Sequence, residues 1–462
     1  MAEVTRREAL QTAAAAMAAG LGACGGSGPA GSTAVSRKDD VPYALIGAGD
    51  RGSFLLKRLA GTSGGRCVGI CDTYEPNLKN ALQFAPQGVK QYRDHREALD
   101  DKEVRAVIIA TPLFRHFDVT RDALLAGKHA FCEKSLVFHA GEVHALRALS
   151  ESRPGQVLQT GLQRRYSPLY QAARQMIEKG LLGDVMHIRA QWHRNGAGRR
   201  PVKDPSLEEQ INWRLYKDYS AGPAAELASH QMDVADWMFG ATPEFVTGVG
   251  GIDYWKDGRE TYDNIHLIFR YPKGQKLVYT SISYNGHCDL LYGRRPNFGE
   301  EICGTAGTLH ITIGDAANPA VGPAMALWFR EPNAPKAAAG NKGENWVAGA
   351  TVSTEKMTSK GFPLLLPKDV VQNSDSFVEK ELKFARQWLY KHDIVAPEED
   401  RNPVDLSLED FFRCVRTGAR PKADLEVGLA DSTGVILSNL AMEEGRRVEY
   451  GEIGKLGRGA LS

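Results

Sequence analysis

The chain has 462 residues, 42% of them apolar, enough to bury the cores of two domains of ordinary size. Its 57 basic and 56 acidic residues leave a formal net charge of +1, so there is no general electrostatic reason to expect nucleic acid as a partner. Seven cysteines occur without a C-x-x-C pair and no H-E-x-x-H segment is present, so no metal centre is expected.

The first forty residues differ from the rest. Arg6-Arg7 lead into the weakly apolar QTAAAAMAAG and then Leu21-Gly22-Ala23-Cys24, after which GGSGPAGSTAVSRKDD is flexible in composition. Residues 1–24 look like a twin-arginine export signal with a lipoprotein cleavage box, Cys24 being the lipid-bearing residue, and 25–40 read as a linker. Ala9 and Gln11 stand where such signals prefer Phe and Lys, and an Ala-rich tail on a cytoplasmic enzyme would have a similar composition. The expectation is an exported, periplasmic protein that touches the membrane only through Cys24. Twin-arginine export carries folded proteins, which suits a chain that loads a cofactor before it leaves the cytoplasm.

Residues 41–160 alternate short β-branched runs with helical patterns: YALIG, CVGICD, RAVIIATP, HAFCEK and QVLQTG. That rhythm predicts a Rossmann-type, doubly wound parallel sheet with its ligand at the carboxyl ends of the strands. YALIGAGDRG places Gly47, Gly49 and Gly52 directly behind the first run, and Asp72 ends the next one twenty residues beyond Gly52. The first glycine permits a tight turn, the second lets a pyrophosphate approach the backbone, and the third lets the following helix pack on the strand. Asp72 can accept from the ribose hydroxyls and repels a 2′-phosphate, which favours NAD over NADP. Asp50 and Arg51 flank the pyrophosphate position. Cys67 and Cys71, four apart on one strand, are expected to face the same way as buried thiols.

Residues 161–462 read as an α+β domain for substrate and subunit contacts. VMHIRAQWHRN, EFVTGVGGID, NIHLIFRY, KLVYTSISY and GTLHITI are strand candidates; the last four have no helices between them, which predicts a large, mainly antiparallel sheet. The Gly-, Ala-, Pro- and Lys-rich stretch at about 314–373 reads as a loop-rich insertion. SLEDFFRCVRTG is a helix with Ser407 as its expected N-cap and Gly418 as its stop.

Two places offer groups for proton and hydride chemistry. Glu133-Lys134 ends a strand, where the lysine would face the cofactor crevice, although a strand-end lysine is also a common surface feature. In GPAAELASHQMDVADWMFG, a helix would put Glu226, His230, Asp233 and Trp237 on one stripe and Leu227, Val234 and Met238 on the core face. A carboxylate one turn from an imidazole can hold its tautomer, and the indole offers a stacking surface for a sugar. A solvated helix face would show the same spacing.

Together these features resemble the Gfo/Idh/MocA family of carbohydrate oxidoreductases, from about Pro42 to the C-terminus. Supporting segments are ATPLFRH around Thr111, Pro112 and His116, GKHAFCEK before Lys134, GLQRRYSP, and EDFFRCVRTGARPKADLEVG. The resemblance implies that Lys134, Glu226 and His230 bind substrate and move protons. Thr111, Pro112 and Glu133 are expected beside the cofactor, as is His116 by its place after RAVIIATP; Arg164, Arg165 and Tyr166 resemble the family's substrate-side loop; His193, Arg194, Trp213, Arg214 and Tyr216 supply polar and aromatic groups suited to a sugar, and Asp233 joins them from the helix stripe. Ser135 stands where the family usually has proline, often behind a cis peptide; a cis bond before serine costs roughly 3 kcal/mol. Glu226 stands where the acid is usually Asp. A homo-oligomer is implied by the resemblance alone. The implied activity is NAD-dependent oxidation of a hydroxyl on a sugar or sugar derivative, with a tightly bound, internally recycled cofactor, since no NAD pool exists outside the inner membrane. The alternatives are a redox-neutral, NAD-dependent glycoside hydrolase of the same superfamily and a non-catalytic sugar-binding module.

Overall fold

The computed structural model describes residues 39–286, 298–312, 324–330, 361–365, 389, 391–394 and 401–456. The expected export signal with Cys24, the linker as far as residue 38, and most of the 314–373 stretch lie outside the described residues.

Six parallel strands form the first sheet: β1 (Val41–Ile46), β2 (Gly65–Cys71), β3 (Lys90–Tyr92), β4 (Ala106–Ile109), β5 (His129–Cys132) and β6 (Leu158–Thr160), in the order β3-β2-β1-β4-β5-β6. The intervening helices are α1 (Asp50–Leu59), α2 (Glu75–Leu82), α3 (His95–Asp100), α4 (His116–Leu125) and α5 (Ala140–Glu151). Every residue of β4 is buried, as expected for a strand covered on both faces. Stepping outward from β1 in both directions creates a switch point at the carboxyl ends of β1 and β4, where a ligand crevice opens.

Cys67 and Cys71 do not face the same way. The pairing of β2 with β1 shifts register between Tyr43 and Ala44, whose partners are Cys67 and Gly69. This bulge inserts one residue and reverses the side-chain alternation behind it. Cys67 therefore joins the core with Tyr43 and Leu45, and Cys71 the opposite one with Ala44 and Ile46.

The second sheet has nine strands in the order β14-β13-β12-β11-β7-β10-β9-β8-β15. They are β7 (Val185–Trp192), β8 (Phe245–Gly251), β9 (Asn264–Arg270), β10 (Lys276–Ile282), β11 (Phe298–Gly304), β12 (Gly307–Thr312), β13 (Met325–Arg330), β14 (Gly361–Leu365) and β15 (Val448–Glu449). All pairings are antiparallel except that of β7 with β10, which run parallel. Sequence reading does not single out β11. It also treats 314–373 as loop, whereas β13 and β14 extend the sheet there; pairing to β12 provides order that local composition does not display.

One face of this sheet packs on α6 (Pro168–Glu178) and α7 (Ser229–Phe239). Two late helices, α8 (Pro403–Thr417) and α9 (Leu425–Glu444), tie the molecule together. Although α8 follows the second sheet in the chain, its Val404, Leu408, Phe411, Phe412 and Val415 close the core beneath Val41, Tyr43 and Leu45 of the first. Each side chain buried this way contributes about 1.5–3 kcal/mol. The N-cap of α8 is Asn402, whose side chain accepts from the Val404 N–H at 2.9 Å, and not Ser407, which lies buried inside the helix. Pro403 at the first helical position explains the earlier start. Leu429 of α9 enters a first-sheet core, and its Val435, Leu437 and Ala441 enter the second-sheet core.

Candidate active site

Two adjoining hollows of about 530 and 520 Å³ run along the carboxyl ends of the first sheet and share Gly47, Asp72, Thr111, Pro112 and Trp213. The outer one reaches Arg93, His95 and Arg96; the inner one reaches Lys134, Glu226 and His230.

The glycines fit the roles their spacing predicts. Gly47 has φ +91°, and a β-carbon there would lie 2.6 Å from the Ala110 and Thr111 backbone. One on Gly52 would lie 1.9 Å from the Gly47 carbonyl oxygen, whereas one on Gly49 would meet nothing nearer than Asn77 Nδ2 at 3.6 Å. The first and third glycines are thus demanded by the fold, and the second leaves room for a ligand. No side chain caps the first turn of α1, so its N–H groups and positive dipole end are offered to a phosphate. Asp72 accepts from the Ala48 N–H at 2.7 Å, the Tyr74 N–H at 2.8 Å and Asn77 Nδ2 at 3.3 Å. A carboxylate has about four acceptor sites, so one remains for a ribose hydroxyl. An uncapped helix start, an open second glycine and an acid at the strand end fit a dinucleotide. Arg51 donates to Glu133 at 2.8 Å across the loop. His116, fully buried, places its two ring nitrogens 2.7 Å from Ser135 O and 2.9 Å from Thr111 O, which fixes the ring at the crevice wall. Burial pushes its pKa below 6.5, against the pull of those carbonyls and of Glu133.

At the inner end the peptide between Lys134 and Ser135 is cis. Lys134 Nζ donates to the Ala225 and Glu226 carbonyls at 2.6 and 2.8 Å. Those carbonyls belong to a π turn, Ala224–Ala228, that runs directly into α7. A π turn is wider than an α turn and releases carbonyls for other partners. The expected single stripe is split beyond this turn, within the regular helix α7. Glu226 and His230 face the crevice, whereas Asp233 turns inward to accept from Arg165 Nε at 2.8 Å. Nor does Glu226 orient His230. Its carboxylate accepts from Arg214 Nε at 2.8 Å, and His230 Nδ1 is buried without a hydrogen-bond partner among the described residues.

Burial, then the charges of Lys134, Arg164 and Arg51, hold His230 well below 6.5, so the imidazole is neutral at pH 7 and can accept a proton. Burial also lowers Lys134 below 10.5, opposed by Glu226, Asp431 and Glu133. Trp192 stacks on His230 with ring centres 5.9 Å apart, and Arg214 covers Trp213 at 4.3 Å. Both indoles line the crevice, as does Arg194.

Five residues expected to meet substrate besides Asp233 do not line the crevice; one, Tyr216, donates its hydroxyl to Glu208 Oε1 at 3.0 Å. Arg164 is buried against Glu300 and lies 5.8 Å beneath the Trp192 ring. Arg165 pairs with Asp233 and covers Trp237 at 5.3 Å. The Tyr166 hydroxyl accepts from the Ala423 N–H in a small core with Leu162. The segment Gln163–Tyr166 is a tight 3-10 turn, and of these four only Gln163 reaches the crevice. His193 is buried, its Nδ1 accepting from the Ile282 N–H at 3.2 Å. Side chains alternate along β7 and its extension, so Trp192 and Arg194 share the crevice side and His193 takes the other. That alternation is readable in VMHIRAQWHRN and points to Trp192. Gln163, Arg200, Gln210 and Ile211 also line the crevice and carry no sequence signal.

Two family profiles match this chain: "Oxidoreductase family, NAD-binding Rossmann fold" over residues 41–161, and "GFO/IDH/MocA C-terminal domain" over 170–310. Between them they take more than half of the sequence. The chain belongs to the Gfo/Idh/MocA oxidoreductase family. Its first sheet is accordingly an NAD-binding Rossmann domain. Among curated relatives, inositol 2-dehydrogenase of Salmonella typhimurium is 31% identical over 184 residues, 38% of this chain and 54% of the relative. The scyllo-inositol 2-dehydrogenase (NADP(+)) of Bacillus subtilis is 27% identical over 269 residues, 56% of this chain and 68% of the relative. The chain spans about half the length of the first curated relatives it matches. Among solved structures, the aldose-aldose oxidoreductase of Caulobacter crescentus has a TM-score of 0.62 at 19% identity, covering 89% of this chain and 99% of that one. Levoglucosan dehydrogenase in complex with NADH gives 0.64 at 17% identity with the same coverage. These likenesses establish the shared fold.

A buried acid behind the crevice yields a pH prediction. Asp431 lies on α9 between Gly428, which abuts Thr160 and Leu136, and Gly434, which abuts Met232. Burial and then the charge of Asp233 push its carboxyl up to about 7, while Ser135, Lys134 and Arg165 pull it down. A carboxyl whose folded pKa exceeds its unfolded 3.8 binds more protons in the folded state, so its contribution to stability falls as pH rises from about 4 to about 7. Asp431→Asn should melt above wild type at pH 8 and level with it below pH 4, as read by thermal unfolding across pH; equal melting curves at pH 8 would refute the assignment.

Proposed function

We propose that this protein is an NAD-dependent oxidoreductase acting on a hydroxyl of a sugar or sugar derivative, exported with its cofactor and recycling it internally. The observation that carries the reading is one crevice uniting an uncapped glycine loop with a neutral imidazole, an amine and two indole faces. NAD bound there supplies the hydride acceptor. His230 takes the hydroxyl proton as the carbinol C–H bond breaks, and Lys134 stabilises the negative charge that develops on the oxygen. Trp213, covered on one side by Arg214, offers its other face to the sugar ring, Trp192 backs His230, and Arg214 holds Glu226 ready to accept from a neighbouring hydroxyl. In the return half of the cycle His230 gives the proton back to a carbonyl.

Retention of the cofactor has support in the segment 196–219. It leaves β7, lines the crevice with Arg200, Gln210 and Trp213, and meets the Rossmann domain twice. Arg200 pairs with Asp50 of the glycine loop, and the Tyr219 ring packs at a tilt against Phe114, with centroids 5.0 Å apart. Asn212, buried, pins the segment to itself through Arg200 at 2.8 and 3.0 Å. Each bridging contact is exposed enough to be worth about 1 kcal/mol or less. The double variant Arg200→Ala, Tyr219→Ala should therefore release NADH about three- to tenfold faster, measured by stopped-flow fluorescence on dilution into excess NAD. An unchanged rate would mean that this segment does not retain the cofactor.

The whole reading is tested by purifying the protein from its native envelope, identifying its nucleotide by mass, and supplying one sugar alone or with a second as acceptor. Oxidation of the first only when the second is present supports the closed cycle. Release of sugar from a glycoside without net NADH would assign the hydrolase chemistry instead.

A further inference from the structure

Every arginine that lines the inner crevice has a carboxylate partner except one. Arg51 holds Glu133, Arg200 holds Asp50 and Arg214 holds Glu226. Arg194 holds none among the described residues: its guanidinium lies 5.3 Å over the Trp192 ring, and only its backbone is bonded, N–H to Ile282 O at 2.9 Å. Trp192 in turn stacks on His230, so one indole separates the free guanidinium from the imidazole that takes the proton. Charge is unbalanced here. With the pairs cancelled, Lys134 and Arg194 remain against one carboxylate, Asp72 at the ribose end, and Lys134 spends two of its three donors on backbone carbonyls. A guanidinium over an indole with no carboxylate partner keeps its donors available to a ligand.

Resting on the oxidoreductase reading above, we propose that the substrate carries an anionic substituent, the carboxylate of a sugar acid or the phosphate of a sugar phosphate, and that Arg194 is the residue that selects it. The guanidinium meets either oxyanion through two parallel N–H donors while the ring lies against Trp213 and its reacting hydroxyl faces His230. The pyrophosphate is expected at the uncapped N–H groups of α1, so Arg194 is left for the substrate.

The test compares D-glucuronate, glucose 6-phosphate and glucose as substrates for the NAD-loaded protein, with Trp fluorescence quenching as a binding readout independent of turnover. At least one of the two anionic sugars should exceed glucose in kcat/KM by about tenfold or more, and that ratio should fall by about the same factor in Arg194→Gln. The anion whose advantage disappears identifies the chemistry, carboxylate or phosphate. Arg194→Lys, which keeps the charge without the fork, should retain part of it. Glucose turned over as well as both anions would overturn the proposal and leave the oxidoreductase reading intact. An Arg194-dependent quench by an anionic sugar, with no sugar turned over, would sustain the anion site and sink the redox reading. Loss of NAD affinity in Arg194→Gln with the substrate ratio unchanged would reassign the residue to the cofactor.

Discussion

Lys134→Met lowers kcat by about two to four orders of magnitude while the protein still carries NAD, because the substitution keeps the stem and removes only the charge and the donors. The amine sits at the end of β5, far from the glycine loop's own packing, so nucleotide content is expected to survive. Two effects contribute. The developing alkoxide loses its stabilising cation, and the Ala225 and Glu226 carbonyls of the π turn lose the amine that holds them at 2.6 and 2.8 Å. The second effect would also displace His230, one turn further on. Arginine at the position separates the two: it restores the charge but is too long for the same pair of carbonyls, so turnover should stay below a tenth of wild type. Steady-state kinetics with bound nucleotide counted by absorbance decides the matter. Turnover within tenfold of wild type in Lys134→Met would remove the amine from the reaction.

The second large effect separates folding from cofactor binding within a single loop. In Gly52→Ala the new methyl would sit 1.9 Å from the Gly47 carbonyl oxygen and 2.9 Å from its carbon, a clash between two backbone segments that neither can relieve alone. Moving α1 off β1 opens a core that includes Leu45, Leu55 and Leu56, and a loss of about 3 kcal/mol or more is expected together with loss of NAD. In Gly49→Ala the nearest atom to the methyl is 3.6 Å away, an ordinary contact, so stability should fall by about 1 kcal/mol at most, the cost of alanine at this N-cap. The methyl nevertheless occupies the approach to the first turn of α1, and NAD affinity should drop by tenfold or more. Urea unfolding beside nucleotide titration reads both quantities. If Gly49→Ala binds NAD as wild type does, the phosphate does not lie against this turn.

How much of the site could be read without coordinates depends on the range of the contacts involved. The glycine loop packs against residues within a few positions of itself and against one neighbouring strand, so spacing alone specifies its geometry. The arginines are different. Arg164, Arg165, Arg194 and Arg214 are equivalent as letters, and what separates them is a partner far along the chain: Glu300 lies 136 residues from Arg164, and Asp233 lies 68 from Arg165. Spacing misplaces Asp233 for a related reason. A period of 3.6 leaves Asp233 about 60° around the helix from His230, and it is Arg165, far along the chain, that decides on which side of the crevice wall its carboxylate falls.

The alternation of strands and helices, the three glycines with their acid, and the mainly antiparallel second half were legible because each is a repeat or a spacing within one or two elements. Which charges neutralise one another, which indole faces the crevice, and that a helix from the end of the chain completes the first core were settled only on folding. Those depend on close packing between segments that are often far apart in the chain, and one register shift changes which side of an element a side chain occupies.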